Sequence, residues 1–320
     1  MHVLLTGPFG NVGESTIEEL VKQGHKVRCF DIKTTRNEKI AGKYGGQIEV
    51  VWGNIRRRDD VAWAVRDQEA ILHLCFIIPS TTSITGVSSE ARPEWAREIN
   101  VGGTANIISA AKSSPNRPRI VFSSSTHVFG HTQNQQPPRR VSDPVYVTDH
   151  YTDHKLKCEE MVRQSGLEWV NLRFCAVAPI RFIMNADMFD IPLQNRIEFV
   201  HTKDVGLACA NAITCQRAVG RTLLIGGGPR CQMYWRDMAG RGLEAFGIGM
   251  LPDGAFTAKE FCQDWIDTDE SQELLRYQQR TYEDYIEDLK RKVGFLRHLA
   301  RIFRPAARWY LLRKSPYYWG

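Results

Sequence analysis

No apolar run in the chain approaches the ~18 residues that a transmembrane helix needs, which excludes a conventional membrane span. None of the eight cysteines forms a Cys-x-x-Cys pair, which removes the usual signature of a zinc site or a dithiol redox centre. Cys29 in VRCF and Cys75 in LHLCF sit in apolar runs, so the thiols read as reduced core residues of a cytoplasmic protein. The opening MHVLLTGPFG lacks a basic start and an apolar stretch, and no secretory leader is expected. Residues 290–320 contain no Asp or Glu but nine Lys/Arg. The other 289 residues carry 33 basic and 36 acidic side chains, so the formal net charge of +6 belongs to this tail. That distribution argues against a nucleic-acid-binding body. Internal repeats and low-complexity segments are also missing.

What is there is an ordinary globular composition, 42% hydrophobic and 24% charged over 320 residues, long enough for a large core. Short apolar segments at 2–6, 26–30, 48–52, 70–75, 119–123 and 168–173 read as strands. Helix-length stretches lie between them at about 12–23, 57–67, 92–112 and 151–165. The alternation predicts βαβ units and an α/β fold, a doubly wound parallel sheet of Rossmann type covered on both faces. After Pro179 the pattern loosens. Residues 198–214 read as strand then helix, 222–225 as a strand, and 267–290 as one acidic helix with Asp267 and Glu270 as its capping box. The expected organisation is a dinucleotide-binding domain over 1–178, rejoined by 198–217. A smaller, mainly helical C-terminal substrate lobe takes 179–197 and 218–290, and a basic aromatic tail takes 291–320.

The first strand ends in Thr6-Gly7-Pro8-Phe9-Gly10-Asn11-Val12-Gly13. Glycines let backbone approach a pyrophosphate, and the helix that follows offers free N–H groups and the positive end of its dipole. The second strand ends at Asp31, whose carboxylate suits the adenosine ribose hydroxyls and repels a 2′-phosphate. NAD is favoured; Lys33 and Arg36 nearby keep NADP open.

Tyr151-Thr152-Asp153-His154-Lys155 places a phenol and an ammonium on one helical face. An ammonium beside a phenol stabilises the phenolate and an oxidised nicotinamide ring adds positive charge nearby, so Tyr151 is expected to act as a base near neutral pH. The strand at 119–123 runs into Ser123-Ser124-Ser125-Thr126-His127-Val128-Phe129-Gly130, which puts hydroxyls beyond a strand's carboxyl end, where α/β sheets bind ligands.

In this order the pieces resemble an extended short-chain dehydrogenase/reductase of the NAD-dependent epimerase/dehydratase kind. The matching runs are TGPFGNVG, Asp31, Gly53-Asn54-Ile55, His73-Leu74, Asn100-Val101-Gly102-Gly103-Thr104, SSSTHVFG, YTDHK and Phe199-Val200-His201-Thr202-Lys203-Asp204-Val205. The resemblance implies Ser125 as the substrate-orienting hydroxyl, Tyr151 as acid/base and Lys155 as its activator and ribose ligand. It implies cofactor contacts at Gly7, Phe9, Gly10, Asn11, Val12, Gly13, Asp31, Asn54, Ile55 and Leu74. Asn100 would serve there too, in structural and proton-relay support. The chemistry implied is hydride transfer between a secondary alcohol or ketone and the nicotinamide, as a dehydrogenase or an epimerase. The rival reading is a non-catalytic NAD-binding regulator or scaffold on the same fold.

The chain departs from that pattern in four places. Asn54 replaces the usual Asp, and Phe129 replaces the usual Tyr of a Val-Tyr-Gly run. Thr126-His127 stands where dehydratases carry an Asp-Glu pair, which disfavours elimination of water. Arg173-Phe174-Cys175-Ala176-Val177-Ala178-Pro179 lacks the Asn and Tyr-Gly of sugar-nucleotide enzymes, and only 19 residues separate Pro179 from Phe199. The intervening RFIMNADMFDIPLQN suits a small-molecule substrate less polar than a sugar nucleotide. A homodimer is expected. In the tail, Phe295, Leu296, Leu299, Ile302 and Phe303 share one helical face among arginines, which fits docking on the acidic 267–288 segment or on a second subunit, or contact with the inner membrane surface.

Overall fold

The computed structural model describes residues 1–79, 88–181 and 186–319. Its first half alternates strand and helix: β1 (His2–Thr6), α1 (Asn11–Lys22), β2 (Lys26–Asp31), α2 (Thr35–Ala41), β3 (Ile48–Trp52), α3 (Arg58–Val65) and β4 (Ala70–His73). Then come α4 (Pro93–Arg97), a π turn at Glu98–Gly102, α5 (Gly103–Ser113), β5 (Arg119–Ser125), α6 (His150–Arg163) and β6 (Trp169–Phe174). The expected strands are found within two residues at each end. The helix expected at 92–112 is interrupted by the π turn. There the Thr104 hydroxyl donates to Asn100 O at 2.6 Å and the Cys158 thiol reaches the same carbonyl. Helix α2, capped by the Thr34 hydroxyl, lacks an apolar period and was not expected.

Beyond β6 follow β7 (Arg196–Glu198), α7 (Thr202–Thr214), β8 (Arg221–Ile225), β9 (Gln232–Tyr234), α8 (Trp235–Ala245), α9 (Asp269–Leu275) and α10 (Tyr282–Val293). The tail forms α11 (Leu296–Ile302) and α12 (Arg304–Leu312). The main sheet has seven parallel strands in the order β3-β2-β1-β4-β5-β6-β8. Every residue of β4 and β5 is buried, because helices cover both faces. The strand order reverses between β1 and β4, and the glycine turn opens there, at the position where such sheets bind ligands.

Two expectations about the C-terminal half are corrected. The lobe boundary at 218 is too early: β8 pairs with β6 in the main sheet, and Ile266, Leu275 and Tyr277 join the core beneath it. The acidic segment 267–290 is two helices, not one. Arg276 adopts a left-handed conformation (φ 47), and the buried Asp204 carboxylate takes the Gln279 and Arg280 N–H groups at 3.0 and 2.8 Å. That pull breaks the helix, and the capping box is formed by Thr281 and Asp284 instead of Asp267 and Glu270. The second core gathers Phe189, Phe199, Leu243, Tyr282, Tyr285 and Leu289.

Helix α6 is fixed to the sheet by a buried ion pair. Arg173 on β6 donates to Glu159 through Nε and Nη2 at 2.9 and 2.7 Å, and both residues are almost fully buried. Removing one partner strands a charge in the interior, which costs roughly 3–5 kcal/mol. Arg173→Met is expected to lower the denaturation free energy by about that much, and Arg173→Met/Glu159→Leu to recover most of it. Urea unfolding of the three proteins measures this; equal losses in the single and double variants would contradict it.

Candidate active site

The glycine turn is built by close approach. Gly7 has φ +66, and a Cβ there would lie 2.9 Å from the Cys75 backbone; at Gly13 it would lie 2.4 Å from the Gly7 and Pro8 carbonyls. At Gly10, by contrast, a Cβ would meet only Gly7 O at 3.5 Å, so the turn is open on that side. No side chain caps α1, and its first N–H groups face the turn. These features fit a dinucleotide pyrophosphate. Asp31, at the end of β2, accepts from Ile32 N at 2.8 Å. Burial raises its carboxyl to about 6, against the lowering effect of the Ile32 and Phe9 N–H groups and Arg36.

The other expected cofactor residues divide. Phe9 is buried against Trp52, so only its backbone faces Asp31. Val12 packs on the core. Asn11 spends its amide on Val177 O at 3.2 Å, which ties the turn to the loop after β6. Asn54 N donates to Asp60, and its side-chain oxygen accepts from Arg56 N. Ile55 is buried against Gly103, and its carbonyl accepts from Asn106. Leu74 follows β4 beside Gly7, its N–H on Thr6 O. Asn100 is wholly buried. Its amide accepts from Ile77 N at 2.7 Å, donates to Ile77 O at 2.9 Å and lies 3.3 Å from His154 Nδ1. Beneath the turn, His73 bridges Thr6 and Thr104 at 2.8 and 2.9 Å; burial lowers its imidazole to about 3, so it is neutral.

Ser125, Tyr151 and Lys155 converge at the carboxyl end of β5. Asp149 caps α6 by accepting from Thr152 N at 2.7 Å, and Glu90 accepts from His150 N and Tyr151 N. Carboxylates there suit the positive end of the helix dipole and fix the first turn, which carries Tyr151. The Ser125 hydroxyl accepts from His127 N at 3.2 Å, which leaves its own proton free to be donated. Ser125 also acts on the Tyr151 phenol, pulling its pKa down and so favouring the phenolate against burial. Lys155 donates to Ser123 O at 2.6 Å, and its ammonium lies 3.5 Å from the Phe76 ring centroid.

Burial disfavours charge on both members of the pair. Burial raises Tyr151 to about 12 and lowers Lys155 to about 7. The ammonium points to Ser123 O, 5.6 Å from the Tyr151 ring centroid. Positive charge near the phenol, or oxygen acceptors on the ammonium, would favour the charged forms.

Sequence reasoning singled out His127 but passed over the Phe76 and Phe261 rings. The Phe76 ring meets Tyr151 edge-on at 5.8 Å, and His127 does so at 5.9 Å. Phe261, from the irregular stretch before α9, stands 5.5 Å from His127. Only Asp149, three residues before Thr152, carried a visible signal. Residues 182–185 of the expected apolar wall lie outside the described residues.

His127 Nε2 lies 3.4 Å from Asp149 Oδ2. Burial opposes the imidazolium, but Asp149, with Cys262, raises it to about 9. Asp149, despite its own burial, is held at about 2 by His127 and Thr152. An unfolded histidine loses its proton near ~6.5, so the His127 contribution is complete below that pH and is lost as pH rises through about 9. The Asp149 share fails only as pH falls from ~3.9 through about 2. The stability difference between the protein and His127→Gln is therefore expected to peak around pH 5–6 and fade by about pH 9. Denaturation across that range measures it; a constant difference would contradict the ion pair.

The model of the NAD dependent epimerase/dehydratase family matches residues 3–183. A 3 beta-hydroxysteroid dehydrogenase/Delta 5-->4-isomerase of Mycobacterium tuberculosis is 28% identical over 187 residues, 58% of this chain and 48% of that protein. UDP-glucose 4-epimerase 3 of Oryza sativa is 28% identical over 172 residues, 51% of this chain and 44% of that protein. The chain thus spans about half the length of the curated relatives it matches. Among solved structures, UDP-glucose-4-epimerase from Stenotrophomonas maltophila, with bound NAD and formylated UDP-arabinopyranose, superposes with a TM-score of 0.76. It is 18% identical, with 94% of this chain and 99% of that one covered, which is a likeness of fold. With more than half of its length matched by the family model, the chain belongs to the NAD dependent epimerase/dehydratase family.

Proposed function

We propose that this chain is an NAD-dependent dehydrogenase of a secondary alcohol less polar than a nucleoside diphosphate sugar. The observation that carries the reading is the convergence of Ser125, Tyr151 and Lys155 beside an open glycine turn and the Phe76 ring, with His127 and Phe261 next to them. The hydroxysteroid dehydrogenases among its relatives support a substrate of that polarity. Thr126-His127, in place of two carboxylates, leaves water elimination without a catalyst. An epimerase, which the sugar-nucleotide relatives favour, is the second reading. A non-catalytic scaffold has no need of the three converging groups. The eight free thiols suit the reducing cytoplasm.

Asp31 would hold the adenosine ribose, α1 the pyrophosphate, and Lys155 the nicotinamide ribose hydroxyls. When bound, the oxidised nicotinamide supplies a hydride acceptor and a positive charge near the phenol. Ser125 donates to the substrate oxygen and orients it. Tyr151 takes the hydroxyl proton, and its pKa falls because Lys155, with new oxygen acceptors, keeps its charge. The rings exclude water around the reacting oxygen.

Incubation with NAD and a panel of hydroxysteroids or similar apolar alcohols is expected to produce NADH. Tyr151→Phe is expected to reduce turnover by roughly 10²–10⁴-fold while NAD affinity is kept. Full turnover by that variant would overturn the role of Tyr151. Inversion of a UDP-sugar without net NADH, and no oxidation of apolar alcohols, would replace the dehydrogenase with the epimerase.

A further inference from the structure

The basic tail docks on the chain, but neither where nor how its amphipathic pattern predicts. Its seat is the loop after α8, not the acidic 267–288 segment. Arg304 donates to Ile248 O at 2.8 Å, and the Arg308 guanidinium donates to the carbonyls of Ile248, Gly249 and Met250. The Arg297 carbonyl comes so close to Gly247 that a Cβ there would lie 2.4 Å from it. Leu311 is fully buried, Ser315 donates to Ala255 O at 2.6 Å and Tyr317 to Asp190 at 2.8 Å. These contacts fix both helices to the second core.

On α11 the orientation is the reverse of ordinary amphipathic packing: Arg297 is partly buried while the apolar stripe faces outward, whereas on α12 Arg304 and Arg308 share the inward side with Ala307, Leu311 and Leu312. Phe295, Leu296, Ile302 and Phe303 are 71%, 63%, 72% and 63% exposed, and Leu299 is exposed beside them. Trp309, Tyr310 and Trp319 extend the surface, also exposed. Monomeric proteins rarely leave so many large apolar side chains together in water. Exposed Lys292, Arg301 and Arg313 accompany them, and no carboxylate side chain occurs after Asp288. The Arg313 guanidinium lies 4.2 Å from the Trp309 ring centroid. An apolar stripe with interfacial aromatics and cations is the chemistry that anionic lipid headgroups and the acyl chains beneath them recognise together. Among the described residues no helix is long and apolar enough to cross a membrane, so the contact is peripheral.

We propose that the outward face of α11 and the aromatic end of the tail seat this protein on a lipid surface bearing anionic headgroups. The stripe enters the headgroup boundary, the cations meet the headgroups, and the arginine clamp on residues 248–250 holds the body against the surface. This goes beyond the reading of the active site and does not depend on Tyr151.

Flotation of the full chain tests it, with vesicles of phosphatidylcholine alone and of phosphatidylcholine mixed with phosphatidylglycerol. The protein is expected to float with the anionic vesicles about tenfold more than with the neutral ones, and less in high salt. Ile302→Glu/Phe303→Glu changes two exposed residues, so it is expected to keep the melting temperature and lose flotation. Light scattering is run on both proteins. The proposal is overturned if the protein stays unbound, binds neutral vesicles equally, or floats as well after the substitutions. It is also overturned if the substitutions dissociate an oligomer, because the stripe would then be an interface between copies.

Discussion

The site depends on a lysine ammonium held where water does not reach. Lys155 projects from α6 against the end of β5 and is almost fully buried. Among the described residues its one hydrogen-bond acceptor is Ser123 O, and the rest of its charge is met by the Phe76 and Phe122 rings. Burial of a cation under these terms favours the neutral amine, which is why its proton is held only to about pH 7. The same burial keeps the Tyr151 phenol protonated. Added oxygen acceptors on Lys155 would favour its charged form and, through it, the phenolate of Tyr151.

The scaffold keeps that pair in register with the glycine turn. The buried Arg173–Glu159 pair holds α6 to β6, and the π turn brings Asn100 to the loop after β4. The turn itself is tied to the second half of the chain. Asn11 reaches Val177, and Thr202 at the start of α7 donates to Asn11 O and meets Ser15 at 3.1 Å. Asp204, two residues on, captures the loop that enters α10. The second half of the chain is therefore tied both to the turn and to the exit of β6.

Much of this was legible in the sequence because it repeats with a short period. The strands are apolar runs, and Gly7, Asp31, Ser125, Tyr151 and Lys155 fall in the order that a doubly wound sheet brings together. What escaped depends on contacts between distant segments. The break at Arg276 is set by Asp204, some seventy residues earlier. The Phe261 ring reaches His127 from a stretch without periodicity. The apolar spacing of α11 correctly gave a helix, but spacing does not say which face meets the body, and Gly247 admits the arginine side. The sequence shows the lysine as a neighbour of Tyr151 and hides how deeply both are buried.

The central claim is that Lys155, charged only marginally in the free protein, is the group that NAD recruits. The direct measurement is NAD affinity by calorimetry between about pH 6 and pH 9, for the protein and for Lys155→Met. The account predicts that the affinity of the unsubstituted protein weakens as pH rises past about 7, and that Lys155→Met binds more weakly with little pH dependence over that interval. Equal affinities with the same pH profile would contradict it.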